Sequence, residues 1–401
     1  MIIFFQVHLQ RCLKDLQEEY AKCSVTVSEP IGKVLFLPSE TKMFPSVPFR
    51  ETIVIPPDTD MVNEAIEKED DKEENDAVIT IATPNHQCTL TLRAVPLPGE
   101  LAKLLDDQQQ LLKGLGSNMP TAAQEQVACL RKQMENLIEE VDELKGCAEK
   151  LWSFGPKRCG PNLLFNCVKD LSTGSAWGGD ESKVTSGDER AELCCAAVQG
   201  FQLATLAGPL CEEPMMGVAF LLLDWKLEVN EEEGWGPLSG QIVSTMKEGC
   251  RKAFNASNPR LMVAMYSCQI QVRAEVLGKM YSVLGRRQGK IVQEEMVEGS
   301  ACFSVTANVP VIESFNFCDE LRKQTSGLAM PQLVFSHWEV LEVDPTWEPR
   351  TEEELLHFGE KADSENPARK YMNNVRRRKG LKVDEKLVEF GEKQRTITKN
   401  K

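Results

Sequence analysis

Four histidines and four tyrosines in 401 residues, with no Cys-x-x-C spacing, leave little material for the commonest kinds of site chemistry. His8, His86, His337 and His357 lie far apart in sequence, without metal-ligand spacing, which argues against a transition-metal centre. The fourteen cysteines are scattered, and the adjacent Cys194-Cys195 suits neither a disulfide framework nor a zinc site. They read as buried, reduced thiols of a cytosolic protein. The phosphate-binding pattern G-x-x-x-x-G-K-[ST] is missing: the nearest spacing, Gly155 to Gly160 in "FGPKRCGP", runs into Pro161 where a lysine would reach phosphate. Glu212 and Glu213 invite an acid–base reading, but adjacent residues on an extended segment face opposite ways. No serine or cysteine nucleophile motif stands out. The opening "MIIFF" is too short for a membrane span or a secretory core. These absences predict a cytoplasmic binding and force-transmitting module with no catalytic residues, metal or cofactor of its own, and no membrane partner.

What is present is the material of a multidomain globular chain. A length of 401 residues exceeds one ordinary core, and 42% hydrophobic with 27% charged residues is globular composition. The net charge of -15 excludes a generally basic nucleic-acid coat. Yet residues 364–401 hold twelve Lys/Arg against five Asp/Glu, a net of +7, so the remainder carries -22. A basic tail on an acidic body points one end toward polyanion.

Periodicity divides the chain. A helical pattern at Val7, Leu9, Leu13 and Leu16 precedes a strand-like alternation at Val25 and Val27, and "EAIEKEDDKEEND" (64–76) reads as a solvated charge run. Strands are expected at 77–83 and 88–95, closed by Pro96 and Pro98. From Val127 to Leu151 apolar residues alternate at spacings of three and four, predicting one helix about 37 Å long with a narrow seam. Its partner is either the preceding helix with Leu101, Leu105 and Leu112, forming a hairpin over 100–151, or a second chain in a coiled coil. From 258 the order is strand ("RLMVAMYSCQIQV"), helix ("AEVLGKMYSVLGRR"), two strands ("KIVQEEMV", "CFSVTANVP"), helix ("IESFNFCDELRKQT") and strand ("PQLVFSHWEVLEV"). That is a ferredoxin-like split βαβ unit. Beyond Pro345 and Pro349 comes the basic helix "ARKYMNNVRRRKG".

Several strings, in order, resemble the C-terminal half of the ribosomal translocases, elongation factor G and eukaryotic elongation factor two. They include "VHLQRCLKDLQEEYA", "PFRET", "KLWSFGPKRCGPNLL", "AAVQGFQLATLAGPLCEEPMMGVAF", "SGQIVSTMKEGCRKA", "VLGKMYSVLGRRQGKIVQEE" and "PQLVFSHWEVLEVDP". The resemblance implies an α+β chain with a remnant of domain III at 1–24 and a translocase-like domain IV at 25–257. A ferredoxin-like domain V would follow at 258–343, with a basic helical tail at 344–401. "GKVLFLPSETKMFPSV" (32–47) interrupts the family pattern as an insert. Nucleotide-binding domains, with GTP and magnesium, would lie upstream.

One loop departs from the translocases. "LEVNEEEGWGPLSGQ" (227–241) matches the domain IV tip, where elongation factor two carries a histidine modified to diphthamide. Here Glu231, Glu232, Glu233, Trp235 and Gln241 stand in a loop without histidine, and its carboxylates would repel the phosphates of a decoding site. With the string "EEELLHFGEKADSENPARKYMNNVRRRKGL", this is similar to the ribosome-assembly paralogs of elongation factor two. Their resemblance implies release of initiation factor six from the large-subunit precursor, together with the Shwachman-Bodian-Diamond syndrome protein. It also implies a monomer that contacts rRNA and stalk-base proteins. Arg286, Arg287 and Lys290 in domain V and Arg376, Arg377, Arg378 and Lys379 in the tail are the expected RNA contacts. A translocase fragment and a coiled-coil adaptor are the alternatives. The missing phosphate loop predicts that the purified chain shows no stoichiometric binding of a fluorescent guanine nucleotide, with or without large subunits.

Overall fold

The computed structural model describes residues 48–55, 78–115, 121–169, 171, 175–177, 189–227, 237–296, 302–347 and 366–383. The expected domain III remnant, the insert at 32–47 and the charge run at 64–76 lie outside them, as do Glu231, Glu232, Glu233 and Trp235.

One five-stranded sheet contains β2 (Val78–Ala82), β3 (Cys88–Pro96), β4 (Leu151–Gly155), β5 (Asn162–Asn166) and β6 (Val218–Leu227) in the order β2-β3-β6-β5-β4. β5 and β6 are parallel and the other pairs antiparallel. The runs "LLF" (163–165) and "VAFLLL" are apolar at every position because helices cover both faces. Leu164, Phe220 and Leu222 point into a core shared with α4 (Glu189–Leu206) and α5 (Leu238–Ala256). Their neighbours Leu163, Phe165, Ala219 and Leu221 point into a second core, shared with α1 (Gly99–Asp107), α2 (Gln109–Lys113) and α3 (Thr121–Glu139).

The seam predicted to run helically to Leu151 breaks earlier. α3 ends at Glu139, Val141 is extended (φ -92°, ψ 114°), and two 3-10 turns at Asp142–Leu144 and Ala148–Lys150 lead into β4. Leu144 and Leu151 are nonetheless buried with Leu130, Met134 and Ile138. The apolar spacing therefore outlasts the helix, because the turns and β4 fill the same core. This seam packs against Leu101, Leu105 and Leu112 of its own chain, as in the intramolecular hairpin, and the surface a coiled-coil partner would need is covered.

The second sheet holds β7 (Pro259–Arg273), β8 (Lys290–Met296), β9 (Cys302–Pro310) and β10 (Ala329–Val340), ordered β10-β7-β9-β8 and all antiparallel. α6 (Leu277–Arg286) and α7 (Phe317–Gln324) lie on one face, around Ile270, Met280, Leu284, Val305, Phe317 and Leu321. The element order is the split βαβ order expected from sequence. β1 (Phe49–Ile53), from the "PFRET" string, pairs with residues 259–263 at the start of β7. The stretch expected to belong to 25–257 thus contributes a strand to the sheet of 258–343. Fifteen residues of β7, about 50 Å of strand, carry β1 at one end and β9 at the other, with β10 along the opposite edge.

α8 (Pro367–Lys379) completes the fold. The Asn366 side chain caps it by accepting from the N–H groups of Ala368 and Arg369, with Pro367 at the first helical position. Gly380 ends it at φ 70°.

Close approach of α4 and α5 requires Gly200: a Cβ there would sit 2.6 Å from both the Val243 carbonyl oxygen and Met246 Cβ. Gly200→Ala should therefore destabilise the chain by ~1–3 kcal/mol, despite alanine's better helix propensity. A lower urea midpoint at unchanged m-value is the expected readout.

Candidate functional site

The two sheets and α8 meet at one carboxylate. Glu51 in the middle of β1 is fully buried, and its side chain enters the loop that follows α4. One carboxylate oxygen accepts from Leu210 N–H (2.9 Å), the other from Cys211 N–H (2.8 Å) and Glu213 N–H (3.1 Å). Gly208 allows this approach, since a Cβ would lie 2.1 Å from a Glu51 oxygen. Glu213 in turn pairs with Lys379 at 2.6 Å, and the Lys379 ammonium donates to the Cys211 and Glu212 carbonyls. Glu212 is exposed while Glu213 is buried, but the segment is a turn with Glu212 at φ 54° and not the extended stretch expected. Burial pushes the Glu51 carboxyl up to about 7, against the three N–H donors and Lys379, which pull it down.

α8 is held to β1, to the loop before β6 and to the ferredoxin-like unit. Arg376 donates to the carbonyls of Leu210 (3.2 Å) and Lys382 (2.8 Å), and the Tyr371 ring lies 6.1 Å from that of Phe49. The Tyr371 hydroxyl contacts Gln288 Oε1 (3.0 Å) and Glu313 Oε1 (3.1 Å) beside the ferredoxin-like unit. Arg50, next to Glu51, adds a separate tie: it pairs with Asp106 of α1 at 3.1 Å and stacks 4.4 Å from the Trp338 ring centroid of β10.

These contacts draw the expected cationic residues toward one another. Arg286 and Arg287 end α6 and Lys290 begins β8; Gln288 between them touches Tyr371, so the loop adjoins α8. Within each cluster the roles differ. Arg287 directs two N–H donors at Glu320 (2.6 and 3.1 Å), which holds that carboxyl below its usual range. Arg376 and Lys379 are spent on the loop carbonyls and Glu213. Arg286, Lys290 and Arg377 are exposed, the first two with acidic neighbours in Glu320 and Glu339. Gln241 lies in the first turn of α5, its carbonyl accepting from Thr245 Oγ1. His337 rests against Ser336 on β10, and His86 sits in the β2–β3 turn. Among the described residues no cluster of three or more His, Cys, Asp or Glu is arranged to hold a metal, and no helix is long and apolar enough to cross a membrane.

The junction escaped the sequence pattern. Glu51 is one acidic residue in a short strand, and its partners are backbone amides 159 to 162 residues away. Its only local trace was a carboxylate flanked by residues that otherwise suit a buried strand.

A split βαβ sheet extended by β1 stands beside a second sheet covered on both faces, and two families of translation-factor type match parts of the chain. Residues 260–347 match the family described as Elongation factor G C-terminus, and residues 93–167 match the Elongation factor-like GTPase 1-like domain. More particularly, the chain is a relative of elongation factor-like GTPase 1. It is 43% identical to that protein of Homo sapiens across 99% of this chain and 41% of the relative. It is 37% identical to Ribosome assembly protein 1 of Schizosaccharomyces pombe (98% of this chain, 39% of the relative). The corresponding figure for Ribosome assembly protein 1 of Saccharomyces cerevisiae is 36% (98% and 35%). The chain thus spans about two fifths of the length of these relatives.

Because the Glu51 carboxyl is held above its unfolded value of 4.5, its contribution to stability is complete below pH 4.5 and is lost as pH rises to about 7. Unfolding free energy should fall across that window by up to roughly 3 kcal/mol more in the native chain than in Glu51→Gln. The variant should also be less stable at low pH, because its amide N–H faces a backbone N–H. Equilibrium urea unfolding of both chains at pH 4.5 and 7.5 gives the comparison.

Proposed function

We propose that this chain is the ribosome-contacting part of a translation-factor-type GTPase acting in cytoplasmic maturation of the 60S subunit, where it promotes release of initiation factor six so that subunits can join. The supporting observation is the union, in one chain, of an elongation factor G C-terminal unit and an elongation factor-like GTPase 1-like domain, locked by the Glu51 junction and α8. A lever needs that stiffness. Two sheets joined through Glu51 and the loop before β6, with α8 fastened to that same loop and to the ferredoxin-like unit, pass displacement on as one body.

In this reading GTP and magnesium bind upstream, in the part of the relatives this chain does not span. The large-subunit rRNA and stalk-base proteins are the partners of the surface formed by the α6–β8 loop and α8. The Shwachman-Bodian-Diamond syndrome protein acts alongside a monomeric factor. Arg286, Lys290, Arg377 and Arg378 are assigned to phosphate, while Arg287, Arg376 and Lys379 hold them in place from beneath. The acidic tip, from Glu231 to Glu233 with Trp235, is assigned to a site less crowded with phosphate than a decoding centre.

Co-sedimentation with large subunits across a salt series tests this. Arg377→Ala/Arg378→Ala should lower the slope of log K against log salt by ~1–2, with the unfolding midpoint of the variant measured alongside. Excess chain should also slow the release of initiation factor six driven by a full-length relative. An unchanged slope, together with no competition, would overturn the assignment.

A further inference from the structure

Cys147 and Cys167 bring their sulfur atoms to 4.0 Å of each other across 20 residues of chain. Cys147 sits between the two 3-10 turns that join α3 to β4, its N–H bonded to Leu144 and its carbonyl accepting from Lys150 N–H. Cys167 follows β5, and its N–H is held by the Leu222 carbonyl of β6. Both backbones are therefore fixed, and both thiols are half-buried at the edge of the second core. We propose that this pair is a redox modification site, a thiol couple that a hydroperoxide closes into a disulfide, stapling the helical arm of residues 99–150 to the central sheet.

The chemistry balances with hydroperoxide as the co-reactant. Cys147 thiolate attacks a peroxide oxygen: an S–O bond forms, the O–O bond breaks, and with hydrogen peroxide the departing hydroxide is protonated to water. The Cys167 sulfur then attacks the Cys147 sulfenic acid. An S–S bond forms, the S–O bond breaks, and the Cys167 proton leaves with the hydroxide as a second water. Two thiols lose two electrons and one peroxide gains them. Closing from 4.0 Å to about 2.05 Å needs rotation about the two Cα–Cβ bonds with a small backbone shift.

The order of roles follows from surroundings. The Cys167 thiol, against burial and with help from the Lys150 ammonium, draws the Cys147 thiol down to about 6, while the facing Cys147 and burial push Cys167 up. Burial also raises Cys88, Cys250 and Cys268, which leaves them poor nucleophiles. Cys129 and Cys195 are exposed and serve as internal controls for oxidant reaching the protein.

The test is a hydrogen peroxide titration of the native chain, followed by non-reducing digestion and mass spectrometry. A peptide linking Cys147 to Cys167, reversed by dithiothreitol, is expected at peroxide levels that just begin to oxidise Cys129 and Cys195. The oxidised chain should unfold roughly 3 °C higher or more, a rise absent from Cys147→Ala and Cys167→Ala. In Cys167→Ser, which keeps a hydrogen-bond donor beside Cys147 but lacks the resolving thiol, dimedone should instead trap a sulfenic acid at Cys147. Oxidation of Cys129 and Cys195 with no 147–167 peptide would overturn the proposal. So would equal yields of that peptide from native and urea-unfolded chain, or dimedone labelling of Cys167→Ser that spares Cys147.

Discussion

A single carboxylate holding three backbone N–H groups is the contact through which the rest of this molecule is organised. Glu51 belongs to a strand of one sheet, and the amides of Leu210, Cys211 and Glu213 belong to the loop leading into the central strand of the other. That loop has no regular partner for those groups, and buried amides left unpaired would each cost about 1–3 kcal/mol. With the carboxylate in place the loop keeps one shape, and only in that shape do its outward carbonyls meet Arg376 and Lys379. α8 is then positioned, and with it the basic surface. Position 208 must be glycine for the same reason: the carboxylate occupies the space of its side chain.

Local signals carried the fold a long way. In the ferredoxin-like unit every strand and helix was visible as a period of two or of three to four, and Cys302–Pro310 was delimited to the residue. The failure in α3 is instructive because the apolar spacing was read correctly and its geometry was not. Leu144 and Leu151 are as buried as Leu130, but the chain reaches them through 3-10 turns, since β4 must leave to pair with β5. Periodicity reports which residues face a core. It does not report that the backbone keeps one conformation while they do so.

The site was legible only in its charges. The basic runs at 286–290 and 376–379 stand out in any reading, yet sequence could not separate those that face outward from those that grip the protein. Arg287 and Arg286 are adjacent, but only the former spends two donors on Glu320 while also reaching the Glu313 carbonyl. Lys379 differs from Arg378 by one step of a helix, which turns it toward Glu213. Such distinctions depend on long-range partners, and no local window contains them.

The span between Glu51 and its partners also bears on how the protein is made. β1 finds its place beside residues 259–263, and its carboxylate is covered only after Lys379 has been added. At about 5–20 residues per second, a ribosome needs roughly 15 to 65 s to travel that distance. The β7 mate of β1 at 259–263 follows after roughly 10 to 40 s at the same rate, and until then that hydrogen-bonding edge of the strand is unpaired. A protein whose two sheets are joined by contacts this far apart in sequence gains its stiffness late, once the last of those partners has been made.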